Sequence, residues 1–441
     1  MSKKIVVLVF SLVILLLSCN TTEPPPPGEK PIILLELEDA SCTEEWITLT
    51  TDNLQLPTTI TLKQSAAGGD SVAQDIVLSK PDTLLYIDSL LPNTSYIFQS
   101  LNQPINQSEI KSNELSVTTM DTTSHDFAFE TFTFGTIGSS TLYDVAIINE
   151  NNIWCVGDIM IADTSINGYT TYNAVHWDGS QWELRRIYYY GACSAVEYPP
   201  LKAIWAFSEN NIVMTNGGSI GWFNGNTVNL DCRVNSLLTG SINKIWGSSS
   251  SNLYVVGNNG NIAWYNGSQW IRIESGTELQ FLDIYGATDN KTGEQQILAV
   301  CTRNLPLDKG IYRIEGNTAT EISPSPIQWE LYAVWFIPDR HYFVIGNGIY
   351  EKKFLTDLLW KDNGFDITHY ATTGIRGNEI NDVFIAGAFG EFLHFNGVSW
   401  KSYINETGWF SGSYGGVAVK NNLVITVGYE GAQAKIMMGY R

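Results

Sequence analysis

Short apolar runs alternate with turn residues along most of the chain. The clearest stretch is 242–273, INKIWGSSSSNLYVVGNNGNIAWYNGSQWIRI, which holds four such runs. Each is short, rich in Ile, Val, Tyr and Trp, and bounded by Gly, Asn or Ser, which predicts strands rather than helices. The first run recurs as LYDVAII at 142–148, LKAIWAF at 201–207, INKIWGS at 242–248, FLDIYGA at 281–287, LYAVWFI at 331–337, TTGIRGN at 372–378 and YGGVAVK at 414–420. Its anchors, Val145, Ile204, Ile245, Ile284, Val334, Ile375 and Val417, are spaced 59, 41, 39, 50, 41 and 42 residues apart. A period near 40 with four strands per unit predicts a radial repeat of four-stranded sheets. The third run ends in an apolar-aromatic pair and a turn (HWDG, GWFNG, AWYNG, HFNG). Asp-Gly and Asn-Gly suit a two-residue hairpin, where both central residues take positive φ. The fourth run opens on Trp182, Trp270 or Trp400. The seventh unit stops after three runs, whereas 126–134, DFAFETFTF, alternates without a unit of its own. That strand is expected to complete the last sheet and close the ring, which leaves no free edge.

Upstream, residues 31–120 carry six further runs: IILLELE, EEWITLTT, TTITLKQ, DTLLYIDS, SYIFQSL and NELSVTTM. Runs of this length separated by turn signals predict a β-sandwich. Leu90-Leu91-Pro92-Asn93-Thr94-Ser95-Tyr96 fits the pattern L-x-P-x-T-x-Y and resembles fibronectin type III domains. The resemblance implies that the Tyr hydroxyl bonds back to the chain at a strand corner, and that the domain is a spacer or binding module. SCTEEW at 41–46 is similar to an opening of such modules in bacterial propeller lipoproteins. The downstream units resemble bacterial repeats written VxGxxGxIxxxxG-x-W, close to sialidase-type and photosystem-assembly-type propellers. The expected fold class is therefore all-β: a fibronectin type III-like sandwich at 31–120, then a seven-bladed β-propeller at 126–441.

The first residues read differently. Lys3 and Lys4 precede an apolar run of 13, IVVLVFSLVILLL at 5–17, too short to span a bilayer comfortably and suited to a signal segment. It ends in Leu16-Leu17-Ser18-Cys19, which resembles a bacterial lipobox. The resemblance implies removal of residues 1–18 and diacylation of Cys19, giving a stable membrane anchor. Asn20, rather than Asp, favours the outer membrane of the cell envelope, with surface exposure left open. NTTEPPPPGEK at 20–30 is a semi-rigid polyproline spacer.

Charge narrows the partners. Lys and Arg number 25 against 45 Asp and Glu, a net −20, and loss of Lys3 and Lys4 with the signal leaves −22. Such a surface repels phosphate backbones, so no nucleic-acid partner is expected. Beyond Cys19, Cys42, Cys155, Cys193, Cys232 and Cys301 remain. Cys155 and Cys301 lie in apolar runs and read as buried thiols, while Cys193 and Cys232 lie in loops one repeat apart and are the candidate disulfide. No CxxC is present, so neither zinc nor thiol redox chemistry is indicated.

Departures from the compact 242–273 unit point to function. Three long connections, 158–172, 188–200 and 403–413, belong to neighbouring units one, two and seven. All are expected on the face opposite the one where residue 126 enters, hence away from the anchor. They carry the candidate ligand-binding residues Tyr169, Tyr172, Tyr188, Tyr189, Tyr190, Trp409 and Phe410, with Tyr198 beside them. Aromatic loop residues offer rigid contact area for a protein or glycan. A long connection at 302–310 lies across the ring. Candidate catalytic chemistry is thin. The chain has no intact S-x-D-x-G-x-x-W box of the sialidases, no DxD motif and no calcium loop, and His125, His176, His341, His369 and His394 are widely spaced. No cofactor and no metal are expected. The leading expectation is a monomeric, non-enzymatic envelope binding or scaffold protein. The alternative is a carbohydrate-active enzyme with a carboxylate pair at the central mouth, which needs two acids about 5–10 Å apart.

Overall fold

The computed structural model describes residues 30–66, 69, 71–103, 108–289, 291–303, 308–363 and 367–441. The expected signal, Cys19 and the linker through residue 29 lie outside the described residues. The described residues form two compact units, one up to Asp121 and the other Thr122–Arg441.

In the first unit, Ile32–Ala40, Glu45–Asp52 and Asp82–Ile87 form one antiparallel sheet. Thr58–Ala66, Ser71–Leu78, Ser95–Asn102, Ile110–Lys111 and Leu115–Thr118 form the other. Alternate residues of both sheets, Ile33 and Leu35, Ile47 and Leu49, Ile60 and Leu62, Tyr96 and Phe98, meet in one core. Period-2 alternation with one buried face produces this. The Tyr96 hydroxyl accepts the Leu91 N–H at 2.9 Å. Ser71–Leu78 was not expected. It is an edge strand exposed along nearly its whole length, so no apolar alternation marks it.

The second unit contains, among the described residues, seven four-stranded antiparallel sheets. Six are consecutive: Thr141–Arg185, Ala203–Asp231, Ile242–Ile273, Gln280–Ile322, Leu331–Asp362 and Thr372–Ser402 from first strand to last. The seventh joins Gly412–Lys420, Leu423–Glu430 and Gln433–Tyr440 to Ala128–Phe134. The last pairing runs from Ala434 opposite Phe134 to Tyr440 opposite Ala128. Each first strand neighbours the first strand of the next sheet, and that of the seventh neighbours that of the first. The sheets are thus radial around a central axis, as in a β-propeller.

Two local rules explain the repeat. The glycine ending most second strands sits against the first strand: a Cβ at Gly257 would strike the Ser241 carbonyl oxygen, and one at Gly346 that of Glu330. No residue with a side chain fits there, which accounts for the recurrent VxG. In the first, third and sixth sheets a third-strand residue also stacks on a second-strand aromatic and bonds to the first residue of that strand. Trp264 stacks on Tyr254 and donates Nε1–H to Asn252 Oδ1 at 2.7 Å. His176 stacks on Trp154 at 4.1 Å and meets Asn152 Oδ1 at 3.0 Å. His394 stacks on Phe384 at 4.4 Å and meets Asp382 Oδ1 at 3.0 Å. His176, Trp264 and His394 are interchangeable packing pieces in this slot.

The closing strand is latched as well as paired. The Tyr403 hydroxyl donates to the His125 carbonyl at 2.7 Å, and His125 Nδ1 meets His394 Nδ1 at 2.9 Å. Arg441 pairs with Asp382 at 3.0 Å and covers the Phe127 ring. Burial, reinforced by the neighbouring His394, lowers the His125 pKa to about 4, so His125 enters this contact as a neutral ring at neutral pH.

Candidate functional site

The central axis is closed by charge. In six of the seven first strands a β-bulge precedes the anchor. Bulges re-aim side chains. Asp144, Lys244 and Asp283 stand immediately after theirs. Asp144 takes the Lys244 ammonium at 2.7 Å and the Ile204 N–H at 3.1 Å. Asp283 takes Arg376 through two nitrogens at 2.8 and 2.9 Å, and the Val334 N–H at 3.1 Å. Each carboxylate therefore ties three successive sheets: one to three for Asp144, and four to six for Asp283 with Arg376. The seventh sheet contributes Gly415 and Gly416, which leave room for the cluster. A Cβ at Gly416 would press on the Tyr143 carbonyl and the Asp144 Cα. None of these charged residues was singled out from sequence. The signal was there: a charged residue beside the anchor of an otherwise apolar run, in LYDV, INKI, FLDI and GIRG.

Space on the two sides of this layer is unequal. A cavity of about 210 Å³ is lined by residues after the layer along the first strands, Ala146, Ile147, Ala206 and Val419, with Trp205 and Tyr285. It lies toward the first-to-second-strand hairpins. On the side of the long connections a smaller cavity of about 30 Å³ lies beside Tyr332, Thr373 and Gly415. Both axial carboxylates already hold a cation and a backbone N–H. Among the described residues, no group of three or more His, Cys, Asp or Glu is placed to bind a metal ion.

The long-connection face divides into two aromatic groups. Residues 158–172 are not a free loop. The second strand, Asn152–Ala162, and the third, Tyr169–Trp177, extend into a long hairpin that pairs Ala162 with Tyr169 and Ile159 with Tyr172. The reason is that the apolar run IMIA at 159–162 continues the strand, which the loop reading overlooked. Tyr172 packs against the core between the seventh and first sheets, and Tyr169 is exposed. In 188–190 the side chains alternate. Tyr188 and Tyr190 are exposed, while Tyr189 is fully buried, its hydroxyl at 3.0 Å from the Met214 and Ser219 carbonyls. Tyr189 is therefore a core residue, not a ligand contact. Tyr188 lies 5.7 Å from Tyr198, whose other contact is the Arg186 guanidinium at 3.8 Å. Cys193 is bonded to Cys232, which ties this connection to the next one.

Trp409 and Phe410 alternate likewise. Phe410 is buried against Tyr414 under the Lys435 ammonium, so it too leaves the candidate surface. Trp409 is 58% exposed and lies parallel to Phe389, with centroids 5.7 Å and planes 7° apart. Phe389 in turn meets Tyr370 at 5.0 Å. Neither Phe389 nor Tyr370 was anticipated. Phe389 occupies a tight turn with φ +56°, where the third sheet has Asn259 at φ +57°. An aromatic side chain in the left-handed region is uncommon and strained. Below it, the fully buried Glu391 carboxylate accepts the His369 N–H at 2.8 Å and the Ser402 hydroxyl at 2.8 Å, fixing the loops on both sides. Among the described residues no ring contact joins this trio to Tyr188, Tyr190 and Tyr198.

No protein-family model matches the chain, and no curated protein matches it by sequence. Solved structures do. One is described as YCF48 bound to D1 peptide: it is 14% identical, with 71% of this chain and 94% of that one aligned at a TM-score of 0.51. YCF48 from Cyanidioschyzon merolae aligns at 11% identity over 70% of this chain and 98% of its own, with a TM-score of 0.49. The WD40 β-propeller domain of Doa1 aligns at 12% identity over 71% and 97%, also at 0.49. At these identities the likeness concerns the fold, a β-propeller.

Proposed function

We propose that this protein is an envelope lipoprotein anchored through Cys19, with a fibronectin type III-like spacer and a seven-bladed propeller that binds a protein or glycan without turning it over. The Tyr96 hydroxyl bond and the two-sheet arrangement support the spacer reading, and the cyclic order of first strands supports seven blades. The observation that carries the binding role is the Trp409–Phe389 stack: a strained, exposed aromatic pair on the long-connection face, held from beneath by buried Glu391. A strained, exposed aromatic pair marks a contact surface better than a packing element. The similar YCF48 structure holds a peptide, which makes extended peptides a first probe class. The non-enzymatic reading rests on Asp144 and Asp283, both occupied by cations.

The test is a peptide and glycan array on the full-length protein, with product release measured for every binder. Binding without product release, at least about tenfold weaker in Trp409→Ala and Phe389→Asn, is expected. Product release, or an array in which no binder is weakened by both variants, would overturn the proposal. Asn is already accommodated at the matching turn of the third sheet, so Phe389→Asn is expected to keep the fold.

A further inference from the structure

A groove of about 380 Å³ runs between the second and third sheets, lined by Trp222, Asn229, Asp231, Arg233, Ser250 and Tyr265. Its packing differs from that of the first, third and sixth sheets. In the first, third and sixth sheets the third-strand slot residue stacks on a second-strand aromatic and is pinned by its first residue. In the second sheet the slot residue is Trp222, but the residue opposite is Val213. Trp222 instead turns toward Tyr265 of the next sheet, with centroids 5.7 Å and planes 56° apart. No hydrogen bond among the described residues fixes its indole N–H. The amide of Asn229, its cross-strand neighbour, is exposed and also has no side-chain partner there.

The rest of the groove is rigid and electrically balanced. Asp231 holds the Arg233 guanidinium through two bonds, at 2.9 and 2.7 Å, and also accepts the Trp270 indole N–H at 2.9 Å. Arg233 reaches across to the Ser268 carbonyl at 2.5 Å. Its neighbour Cys232 is bonded to Cys193, so the loop that carries Arg233 is stapled to the preceding connection. The lining thus offers two aromatic faces in a V, a free N–H, a free amide and a hydroxyl, with its one cation already matched by an acid. The volume falls in the range of small-ligand sites.

We propose that this groove is a glycan-binding site for a neutral pyranose, with the accessible surfaces of Trp222 and Tyr265 against one face of the sugar and Asn229 and the Trp222 N–H reading its hydroxyls. Aromatic faces take the apolar face of a sugar, and the unpaired polar groups take its hydroxyls. A matched Asp–Arg pair gives no preference for anionic ligands. The site is separate from the Trp409–Phe389 surface. The experiment titrates full-length protein with neutral gluco-, chito-, xylo- and manno-oligosaccharides by calorimetry. At least one is expected to bind. Asn229→Ala, an exposed change that leaves the fold intact, and Trp222→Ala are each expected to weaken it by about tenfold or more, while Trp409→Ala leaves it unchanged. The proposal fails if no neutral oligosaccharide binds at millimolar concentration, if binding survives both groove variants, or if only acidic sugars or peptides compete for the groove.

Discussion

Arg376→Met tests whether the axial charge layer holds the ring together. The substitution keeps most of the side-chain volume and removes the cation from Asp283, which is 3% exposed. Asp283 would keep one donor, the Val334 N–H. Breaking one half of a buried ion pair costs about 3–5 kcal/mol, because the remaining charge stays desolvated. In a unit of this size each kcal/mol lowers Tm by roughly 2 °C, so the drop should be roughly 6–10 °C. Tryptophan emission is a suitable readout, since 13 of the 14 tryptophans lie in the second unit. The partner experiment is Asp283→Asn with Arg376→Met. Asn still accepts from Val334, no charge is stranded, and most of the loss should be recovered, since replacing both halves of a buried pair is often neutral. One molar salt should not rescue the single variant, because buried charges are poorly screened. A single variant melting within about 1 °C of the parent, or a double variant as unstable as the single, would refute the charge argument. The latter result would move the cost to packing.

Three further outcomes are expected. Deleting 126–136 removes the partner of Gln433–Tyr440 and the Phe127, Phe129, Phe132 and Phe134 contacts, so the second unit should lose its cooperative melting transition; a truncated protein with unchanged melting would contradict ring closure. Glu45 of the first unit is fully buried, neither carboxyl oxygen has a hydrogen-bond partner, and burial raises its pKa from 4.5 to about 7. The folded state then holds the proton that the unfolded state releases, so that unit should lose roughly 2–3 kcal/mol as pH rises from 4.5 to 7; Glu45→Gln should abolish that slope in urea titrations at both pH values. Replacing Cys193 and Cys232 by Ser opens a link between residues 39 apart; the chain-entropy model puts the loss at up to about 4 kcal/mol, visible as a lower urea midpoint that dithiothreitol reproduces in the parent.

The repeat was legible because its causes are local: period-2 alternation, a glycine where no Cβ fits, and Asn-Gly or Asp-Gly turns. The seven first runs coincide with the seven first strands, and DFAFETFTF pairs where its alternation required. What sequence obscured falls into two kinds. Ser71–Leu78 is an exposed edge strand, so burial left no mark on it. The other kind is orientation within aromatic pairs. YYY and WF read as clusters, but alternation buries Tyr189 and Phe410 and exposes Tyr188, Tyr190 and Trp409. Applying to the connections the same period-2 rule that found the strands would have separated them. Phe389 was visible too, as the phenylalanine in GAFGEF where the compact unit has GNNGNI.

Repetition itself locates function in this molecule. Seven equivalent positions let packing be judged against six internal controls, and a residue that obeys the rule needs no other explanation. His176, Trp264 and His394 obey it, stacked and pinned alike despite their different chemistry. Trp222 and Phe389 do not. Trp222 lacks the stack and the hydrogen bond that His176, Trp264 and His394 have, and Phe389 accepts a left-handed backbone that Asn259 adopts with little cost. Departures of this kind are unfavourable for folding, since each forgoes a contact or stores strain that the repeat shows how to avoid. Both leave an aromatic side chain partly accessible beside groups held rigidly by a buried or paired carboxylate, Asp231 in one case and Glu391 in the other. The two exceptions lie on different parts of the ring and are built from different elements, so one ligand surface does not account for both. If both proposals hold, the ring carries two separate contacts, one on the rim between the second and third sheets and one above the sixth and seventh.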